Sequence, residues 1–237
     1  MAATRFNKDS VTFCSGYAER NGAKALTSGG GAPRALNKVC TLLLIVPLLI
    51  AACSNQPPDD PKAYSAEIAS ARAATDAAFA GSSDPVPQNR HAELLPLAYF
   101  PIDPAYSVPA ALKPASDATE LEMPTSTGTQ RKMRRVGTLE FMLKGQPLKL
   151  TAFVEVGAKD LNRLFVPFTD LTTGTETYAG GRYLDLDRTP SGVYAIDFNR
   201  AYLPYCYYNP TYECPYPPAE NRLKIPIRAG EKLKPSK

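Results

Sequence analysis

The chain has 237 residues, 44% of them apolar, which is enough for one domain with a hydrophobic core or for two small ones. Its 23 prolines and 13 tyrosines, without any tryptophan, favour a loop-rich β protein. The net charge of +4 comes from residues 1–52, which hold six of the 27 basic and two of the 23 acidic residues, so the chain from Cys53 onward is neutral. This balance excludes the electrostatic pattern of a nucleic-acid-binding protein.

The first predicted element is a short apolar segment typical of a secretory signal. The basic residues Arg34 and Lys38 precede it, and the small residues Ala51 and Ala52 come directly before Cys53. The segment is shorter than the roughly 20 residues of a membrane-spanning helix. The sequence "IAAC" resembles the lipobox of bacterial lipoproteins, in which the signal is cleaved just before the cysteine. The resemblance implies that Cys53 carries a diacylglycerol and an N-acyl chain such as palmitate, and several acyl chains make a durable membrane anchor.

Two other interpretations of this segment stay open: an ordinary cleaved signal with a coincidental cysteine, and a buried helix. Nearly forty residues precede the apolar run, which is long for a signal peptide, so we expect translation to start inside this stretch. The predicted organisation is a signal peptide at 1–52, a lipidated Pro-rich tether at 53–62 and one domain at 63–237. Ser54, rather than aspartate, follows the cysteine. This resembles the sorting pattern for the outer membrane, so we expect the protein on the periplasmic face of that membrane.

The next element is a predicted helix, "AYSAEIASARAATDAAFAG", with Asp60 and Pro61 as its start signal and Gly81 as its end. Its thin apolar stripe comprises Tyr64, Ile68, Ala71, Thr75 and Phe79. Residues 82–105 carry five prolines and predict an ordered loop with a short helical turn at Arg90 to Leu95. The segment "YSVPAAL" that follows is expected to be an edge strand, because its proline cannot donate to a sheet on both sides.

From Arg134 onward the apolar residues alternate with a period of two. "VGTLEFMLKGQPLKLTAFVEVG" predicts a β-hairpin, with a basic cluster, "RKMRR", at its solvated start. Further short strands are predicted at "RLFVPF", "ETYAGGRYLDL", "GVYAIDF" and "LKIPI". We therefore predict a mainly β fold, an antiparallel sandwich, roll or small barrel with one N-terminal helix and long Pro-rich loops.

Cys206 and Cys214 are the two cysteines that remain once the signal is removed and Cys53 is lipidated. Both lie in "DFNRAYLPYCYYNPTYECPYPPAENR", which also holds six tyrosines and five prolines. An exported protein with two thiols in one Pro-rich loop favours a disulfide, and buried free thiols are the alternative. With His91 as the single histidine and no second cysteine pair, we expect no metal and no cofactor.

Two stretches resemble a known family. "TYAGGRYL" and "DFNRAYLPYCYYNPTYECPYPPAENRL" with the later "AGEK" are similar to the uncharacterised bacterial family named domain of unknown function 1684, over roughly residues 63–232. Leu203 departs from the asparagine usual in that family. The resemblance implies a fold and a candidate region but no reaction.

The chain shows no nucleophile elbow, zinc-protease motif, phosphate loop or dinucleotide fingerprint. The candidate ligand-binding residues are polar or planar: Tyr178, Arg182, Asn199, Arg200, Tyr202 and Asn221. Such side chains grip carboxylates or sugar hydroxyls. They also satisfy the backbone of Pro-rich loops, and an Arg182–Asp197 pair is expected in that structural role. The predicted function is an envelope lipoprotein that binds a small molecule, glycan or protein. The alternative is a hydrolase or transferase with an unrecognised active site near Arg182, Asn199, Arg200 and Tyr202.

Overall fold

The structure is a computed structural model that describes residues 60–117, 119–158 and 162–235. The predicted signal peptide and Cys53 lie outside these residues. The helices are α1 (Pro61–Ala80), α2 (His91–Leu94) and α3 (Tyr205–Tyr208). The strands are β1 (Ser107–Pro114), β2 (Glu120–Pro124), β3 (Gln130–Leu143), β4 (Gln146–Glu155), β5 (Arg163–Phe168), β6 (Arg182–Asp187) and β7 (Val193–Asp197).

Helix α1 confirms the predicted start and stop signals. The side chain of Asp60 accepts hydrogen bonds from the N–H groups of Lys62 and Ala63, at 2.9 and 3.0 Å, and thereby satisfies two donors of the first turn. Gly81 follows the last turn. Tyr64 and Ile68 are buried against the rest of the domain, whereas most of the helix surface is exposed. The helix therefore packs along the body of the protein by a narrow stripe, as its Ala-rich sequence predicts.

The loop between α1 and β1 contains the predicted helical turn. A 3₁₀ turn at Gln88–Arg90 leads into α2, and a second 3₁₀ turn at Pro104–Tyr106 leads into β1. His91 begins α2 and its Nε2 lies 3.0 Å from the carbonyl oxygen of Val86, so it holds the loop together.

The strands form one antiparallel sheet in the order β6-β5-β4-β3-β1-β7, with β2 pairing β3 beside this path. The two end strands, β6 and β7, approach each other, so the sheet is nearly closed and barrel-like. This confirms the predicted mainly β fold. The buried side chains of the inner face form one large core: Tyr106, Val108, Leu139, Phe141, Leu143, Leu150, Val154, Leu164, Val166, Phe168, Leu184, Ile196, Phe198 and their neighbours.

The β3–β4 hairpin follows the predicted alternation on one face. Lys144 and Gly145, both with positive φ, form a two-residue turn, and Leu143 pairs with Gln146. On β4, however, the alternation fails, because Thr151 and Phe153 are buried as fully as their inward-facing neighbours. Phe153 packs on the outer face of the sheet with Met123 of β2 and Met133 of β3. The outer face of β4 is therefore covered too.

Strand β1 was predicted to lie at a sheet edge, and that prediction is wrong. It pairs with β7 through residues 107–111 and with β3 through residues 110–114. Pro109 pairs with Ala195 of β7 and precedes the part that pairs with β3. The proline is tolerated because, at its position, the strand has a partner on one side only.

Other boundaries also differ from the predictions. Strand β2 was not predicted, and it contributes Met123 to the outer-face cluster. "LKIPI", residues 223–227, lies outside the named strands, and β6 begins at Arg182 rather than within "ETYAGG". Gly181 has a φ of +85°, and a side-chain carbon there would meet the Phe168 carbonyl and Pro217, so the chain turns before the strand starts.

Candidate functional site

Arg182, at the start of β6, is fully buried, and its guanidinium holds the C-terminal segment in place. One terminal nitrogen donates to Asp170 at 2.8 Å and to the carbonyl of Ile227 at 2.6 Å. The other donates to the carbonyls of Ala229 and Glu231. The predicted pairing of Arg182 with Asp197 is therefore wrong, since Asp170 takes that role. Burial lowers the pKa of the arginine, and the neighbouring carboxylate of Asp170 opposes this effect.

Asn199, after β7, is buried in a second polar cluster. Its amide pairs with the backbone of Asp103, donating to the carbonyl at 2.8 Å and accepting from the N–H at 3.0 Å. The same amide nitrogen donates to the hydroxyl of Tyr64 at 2.9 Å, and that hydroxyl donates to Asp197 at 2.7 Å. Burial and the Asp197 carboxylate raise the pKa of Tyr64. Asn199 therefore connects α1, the start of β1 and the end of β7.

The side chain of Asn221 completes the hydrogen bonding between strands β4 and β5. Strands β4 and β5 pair at Phe153 and Phe165, a register that places Thr151 opposite Pro167. Pro167 has no N–H to give to the Thr151 carbonyl. The Asn221 amide nitrogen instead donates to the carbonyls of Thr151 and Pro167, at 2.9 and 2.7 Å, and its oxygen accepts from the Thr151 N–H at 2.7 Å. This side chain substitutes for the missing backbone pair.

Arg200 and Tyr202 lie nearer the surface. Arg200 is partly exposed and forms ion pairs with Glu67 of α1 and, at 3.3 Å, with Asp197. The hydroxyl of Tyr202 donates to Asp185 at 2.9 Å. Asp185 is half-buried, and burial raises its pKa while Arg163 and Tyr202 oppose the rise.

The candidate residues therefore occupy separate places. Arg182, Asn199 and Asn221 are buried, and each has its amide or guanidinium bonded to backbone groups. Arg200, Tyr202 and Tyr178 remain partly accessible. The structure brings Arg200 and Asn199 together around Asp197, and it places Tyr178 on a different surface with the tyrosines of the Pro-rich loop.

Tyr178 belongs to a patch that we call the tyrosine surface, consisting of Tyr178, Tyr205, Tyr207, Tyr212 and Tyr216. The rings of Tyr178 and Tyr207 lie 5.4 Å apart, as do those of Tyr205 and Tyr212. Gly180 brings Tyr178 and Tyr216 close, since a side-chain carbon at Gly180 would contact both rings. Burial is the main cause that raises the pKa of Tyr178, to about 12, so its hydroxyl stays neutral and able to donate.

The loop that carries the tyrosine surface is tied to the domain at several points. Arg90 donates to the carbonyls of Tyr207 and Tyr208, the latter at 2.6 Å. The Tyr183 hydroxyl donates to the Pro215 carbonyl at 2.6 Å, and Tyr212 bonds to Asp84. These contacts hold the backbone of the loop and the side chain of Tyr212 in place.

Cys206 and Cys214 lie beneath this surface. Both are buried free thiols, and the N–H of Cys206 donates to the sulfur of Cys214 at 3.2 Å. The disulfide between them stays a prediction. The hydrogen bond from Cys214 lowers the pKa of Cys206 to about 6, with smaller contributions from Ser126 and Tyr178. The pKa of Cys214 is raised by its hydrogen bond to Cys206 and by burial.

Glu231 is a buried carboxylate that the sequence analysis did not select. One of its oxygens accepts hydrogen bonds from the Tyr208 hydroxyl at 2.6 Å and from the Leu203 N–H at 2.8 Å. Burial raises its pKa to about 7. It borders a small cavity lined by Leu94, Leu97 and Lys234, with space for about one water molecule. The sequence signal that could have identified Glu231 was its position in "AGEK", one of the segments that resemble the family.

Two further observations concern the described part of the chain. Within residues 60–117, 119–158 and 162–235, no group of three or more His, Cys, Asp or Glu side chains is arranged to hold a metal ion. A cleft of about 330 Å³ opens between the end of β1 and strands β3 and β4. Its charged side chains are largely paired, Lys113 with Glu140 at 2.7 Å and Arg135 with Glu220 at 2.8 Å.

The comparisons with known proteins agree with this fold. No curated protein matches the sequence. The solution NMR structure of the uncharacterized protein from gene locus rrnAC0354 of Haloarcula marismortui is similar at 33% identity and a TM-score of 0.58, over 73% of this chain and 95% of that chain. A family model described as "Protein of unknown function (DUF1684)" matches residues 93–232, which is more than half of the chain. The protein therefore belongs to the DUF1684 family.

Proposed function

We propose that this protein is a lipid-anchored protein of the bacterial envelope whose β domain binds a neutral glycan through the tyrosine surface. The anchor would be Cys53, and the location the periplasmic face of the outer membrane. The proposal goes beyond the family, which carries no assigned activity.

The case for the anchor is the position of Cys53 in the chain. Asp60, the cap of the first helix, lies seven positions after Cys53, and an extended chain of that length spans at most about 25 Å. A lipid on Cys53 would hold the domain close to the membrane surface. None of the helices among the described residues has the length and apolar character needed to span a bilayer.

The observation that carries the binding proposal is the tyrosine surface. Tyrosine rings present an apolar face, on which the C–H side of a sugar ring packs, and a hydroxyl that bonds to sugar hydroxyls. The contacts of Arg90 and Tyr183 hold the backbone of the loop, and the rings of Tyr178 and Tyr207 pack against each other, so little side-chain freedom would be lost on binding. The neutral charge of the chain after residue 52 favours a neutral ligand over a charged polymer.

The competing proposal of an active site near Arg182 and Asn199 has less support. A catalytic or ligand-gripping role would require both side chains to reach a substrate. Both are buried, and the two terminal nitrogens of Arg182 and the amide nitrogen of Asn199 are bonded to carbonyl oxygens of the protein. These contacts favour a role in stabilising the loops.

The anchor is tested by replacing Cys53 with alanine in the full chain. We expect the variant to remain as an unprocessed precursor or to leave the membrane fraction, because no thiol is available for the diacylglycerol. Fractionation and mass spectrometry of the N-terminal peptide give the readout. The control is Cys40→Ala, which replaces another cysteine of the same N-terminal segment and should behave as the parent protein. A processed, membrane-bound Cys53→Ala protein would contradict the anchor.

The binding surface is tested with Tyr207→Ala, by titration with a soluble N-acetylglucosamine tetramer, which is a neutral glycan. We expect a roughly two- to tenfold loss of affinity, since one aromatic contact contributes roughly 0.5–1.5 kcal/mol. Tyr207→Phe should retain most of the binding because the ring face remains.

The matched control is Val193→Ala, which trims an exposed apolar side chain, 53% accessible, on β7. It should bind as the parent does. Absence of binding by the parent protein, or equal binding by Tyr207→Ala, would overturn the glycan proposal while leaving the lipid anchor untouched.

A further inference from the structure

The carboxylate of Asp185 lies on the outer face of β6, because its neighbours Leu184 and Leu186 belong to the inner core. Antiparallel pairing places Asp185 directly opposite Phe165 of β5. One of its oxygens accepts a hydrogen bond from the Tyr202 hydroxyl at 2.9 Å. The carboxylate is therefore flanked by two aromatic side chains, and both of these are half-buried.

These two aromatic side chains are continuous with the tyrosine surface. Phe165 and Tyr202 pack against a buried cluster formed by Tyr183 and the two cysteines of the Pro-rich loop. The ring of Tyr183 lies 4.7 Å from that of Phe165 and 5.7 Å from that of Tyr202. Three members of the tyrosine surface pack against the same cluster: Tyr178, Tyr205 and Tyr212. Asp185 therefore supplies a polar group at the border of an aromatic surface.

The contacts of Asp185 engage only one of its two oxygens. The Nε of Arg163 lies 4.0 Å from the oxygen that the Tyr202 hydroxyl already contacts. Within the described part of the chain, the second oxygen has no hydrogen-bond donor, and it is not sealed from solvent, since the Asp185 side chain keeps 26% of its surface exposed. An accessible carboxylate oxygen is a strong acceptor for hydroxyl groups.

We propose that Asp185 is a specificity-determining residue of the glycan site, and that its second oxygen accepts hydrogen bonds from hydroxyls of a sugar ring packed against Tyr202 and Phe165. This inference rests on the proposed glycan function. Aromatic faces bind the apolar side of many ligands, whereas an acceptor held at a fixed position selects ligands that present hydroxyls to it. A ligand without hydroxyls there would desolvate the carboxylate and give it no partner, which weakens binding.

The test is titration of the full chain with the soluble N-acetylglucosamine tetramer, comparing the parent protein with Asp185→Ala. We expect at least about a tenfold loss of affinity, because the sugar hydroxyls lose a charged acceptor. The matched control is Asp187→Ala, which removes an exposed carboxylate two residues further along the same face of β6. The control should bind as the parent does, and this separates a direct contact from a general effect of charge.

A second variant, Asp185→Asn, keeps the local structure. The amide oxygen can still accept from the Tyr202 hydroxyl, so we expect this variant to melt close to the parent protein. Its affinity should fall roughly three- to tenfold, because a neutral amide replaces the charged acceptor. If Asp185→Ala does not fold, Asp185→Asn decides: a loss of affinity with an unchanged melting temperature supports the proposal, and parental affinity overturns it.

The outcomes separate this inference from the proposed function. Absence of binding by the parent protein would overturn both. Weaker binding by Tyr207→Ala, together with parental affinity for both Asp185 variants, would overturn the role of Asp185 and leave the tyrosine surface as the glycan site. Equal losses for Asp185→Ala and Asp187→Ala would also overturn the role of Asp185, because charge alone would then account for the effect.

Discussion

The buried carboxylate of Glu231 makes the stability of this fold depend on pH. Its ordinary pKa of 4.5 rises to about 7, because burial disfavours the charged carboxylate more than the Tyr208 and Leu203 hydrogen bonds favour it. Both donors reach the same oxygen, which leaves the other oxygen for a proton. Asp76, which lies close enough to repel a second negative charge, adds to the rise, and the charge of Arg182 opposes it.

We expect Glu231 to lower the stability of the protein as the pH rises from about 4.5 to about 7. In this window the unfolded chain releases the Glu231 proton and the folded chain retains it, so the unfolded state binds fewer protons and the free energy of unfolding falls. Glu231→Gln, which is neutral at all pH values, should show a flatter dependence and greater stability at pH 8. Urea unfolding at a series of pH values measures both curves.

The control for this measurement is Glu122→Gln, on the exposed side of β2, which should follow the parent curve. If Glu231→Gln keeps the full pH dependence between 4.5 and 7, the dependence arises from other groups.

The buried pair of Arg182 and Asp170 determines where Glu231 lies. Arg182 donates to Asp170 and to carbonyls of residues 227–231, and these bonds fix the segment that carries Glu231.

At the scale of elements, the segment from Asp197 to Arg222, which we call the clasp, connects several strands of the sheet. It contacts β2 through the Tyr216 N–H, which donates to the Pro124 carbonyl at 2.8 Å. It contacts β6 through Tyr202 and Tyr183, whose backbones pair, and it contacts β4 and β5 through Asn221. The clasp therefore joins strands that are far apart in sequence.

Asn221 should be the most sensitive residue of this clasp. Asn221→Ala leaves two carbonyls and one N–H of β4 and β5 without their buried partner, and each unsatisfied group costs roughly 1–3 kcal/mol. We expect a loss of at least about 3 kcal/mol and a melting temperature lower by about 10 °C, measured by thermal and urea unfolding.

Asn209→Ala is the matched control in the same loop. Its side chain accepts from the N–H and hydroxyl of Thr211, at the surface, and we expect a loss below about 1 kcal/mol. Asn221→Asp adds a second comparison, because a carboxylate accepts from the Thr151 N–H but cannot donate to either carbonyl. Equal melting temperatures for Asn221→Ala and Asn209→Ala would show that water replaces the amide and that the sheet does not depend on it.

At the scale of the whole molecule, α1 belongs to the domain although the family match begins at residue 93. Tyr64 reaches the Asp197–Asn199 cluster, and Arg72 donates to the carbonyls of Phe100 and Asn199, at 2.9 and 3.3 Å. The lipid anchor that we propose at Cys53 would therefore precede a helix that is bonded to the end of β7.

The amino-acid sequence by itself determined the features that depend on neighbours a few residues apart. Asp60, Pro61 and Gly81 define α1, the two-residue alternation defines one face of β3 and β4, and "RLFVPF" corresponds to β5. Capping, turn geometry and strand periodicity are local interactions, so their spacing in the chain is sufficient to predict them. The mainly β fold follows from the sum of these signals.

The tertiary structure alone decided which polar residues face each other. Asn221 meets Thr151 across 70 residues of sequence and Arg182 meets Ile227 across 45, and no spacing rule connects such partners. For this reason the predicted Arg182–Asp197 pair was wrong, β1 turned out to lie between β3 and β7, and Glu231 was not selected. A side chain of arginine, asparagine or glutamate looks the same in a sequence whether it binds a ligand or satisfies buried backbone, because the difference lies in the burial and partners that folding supplies.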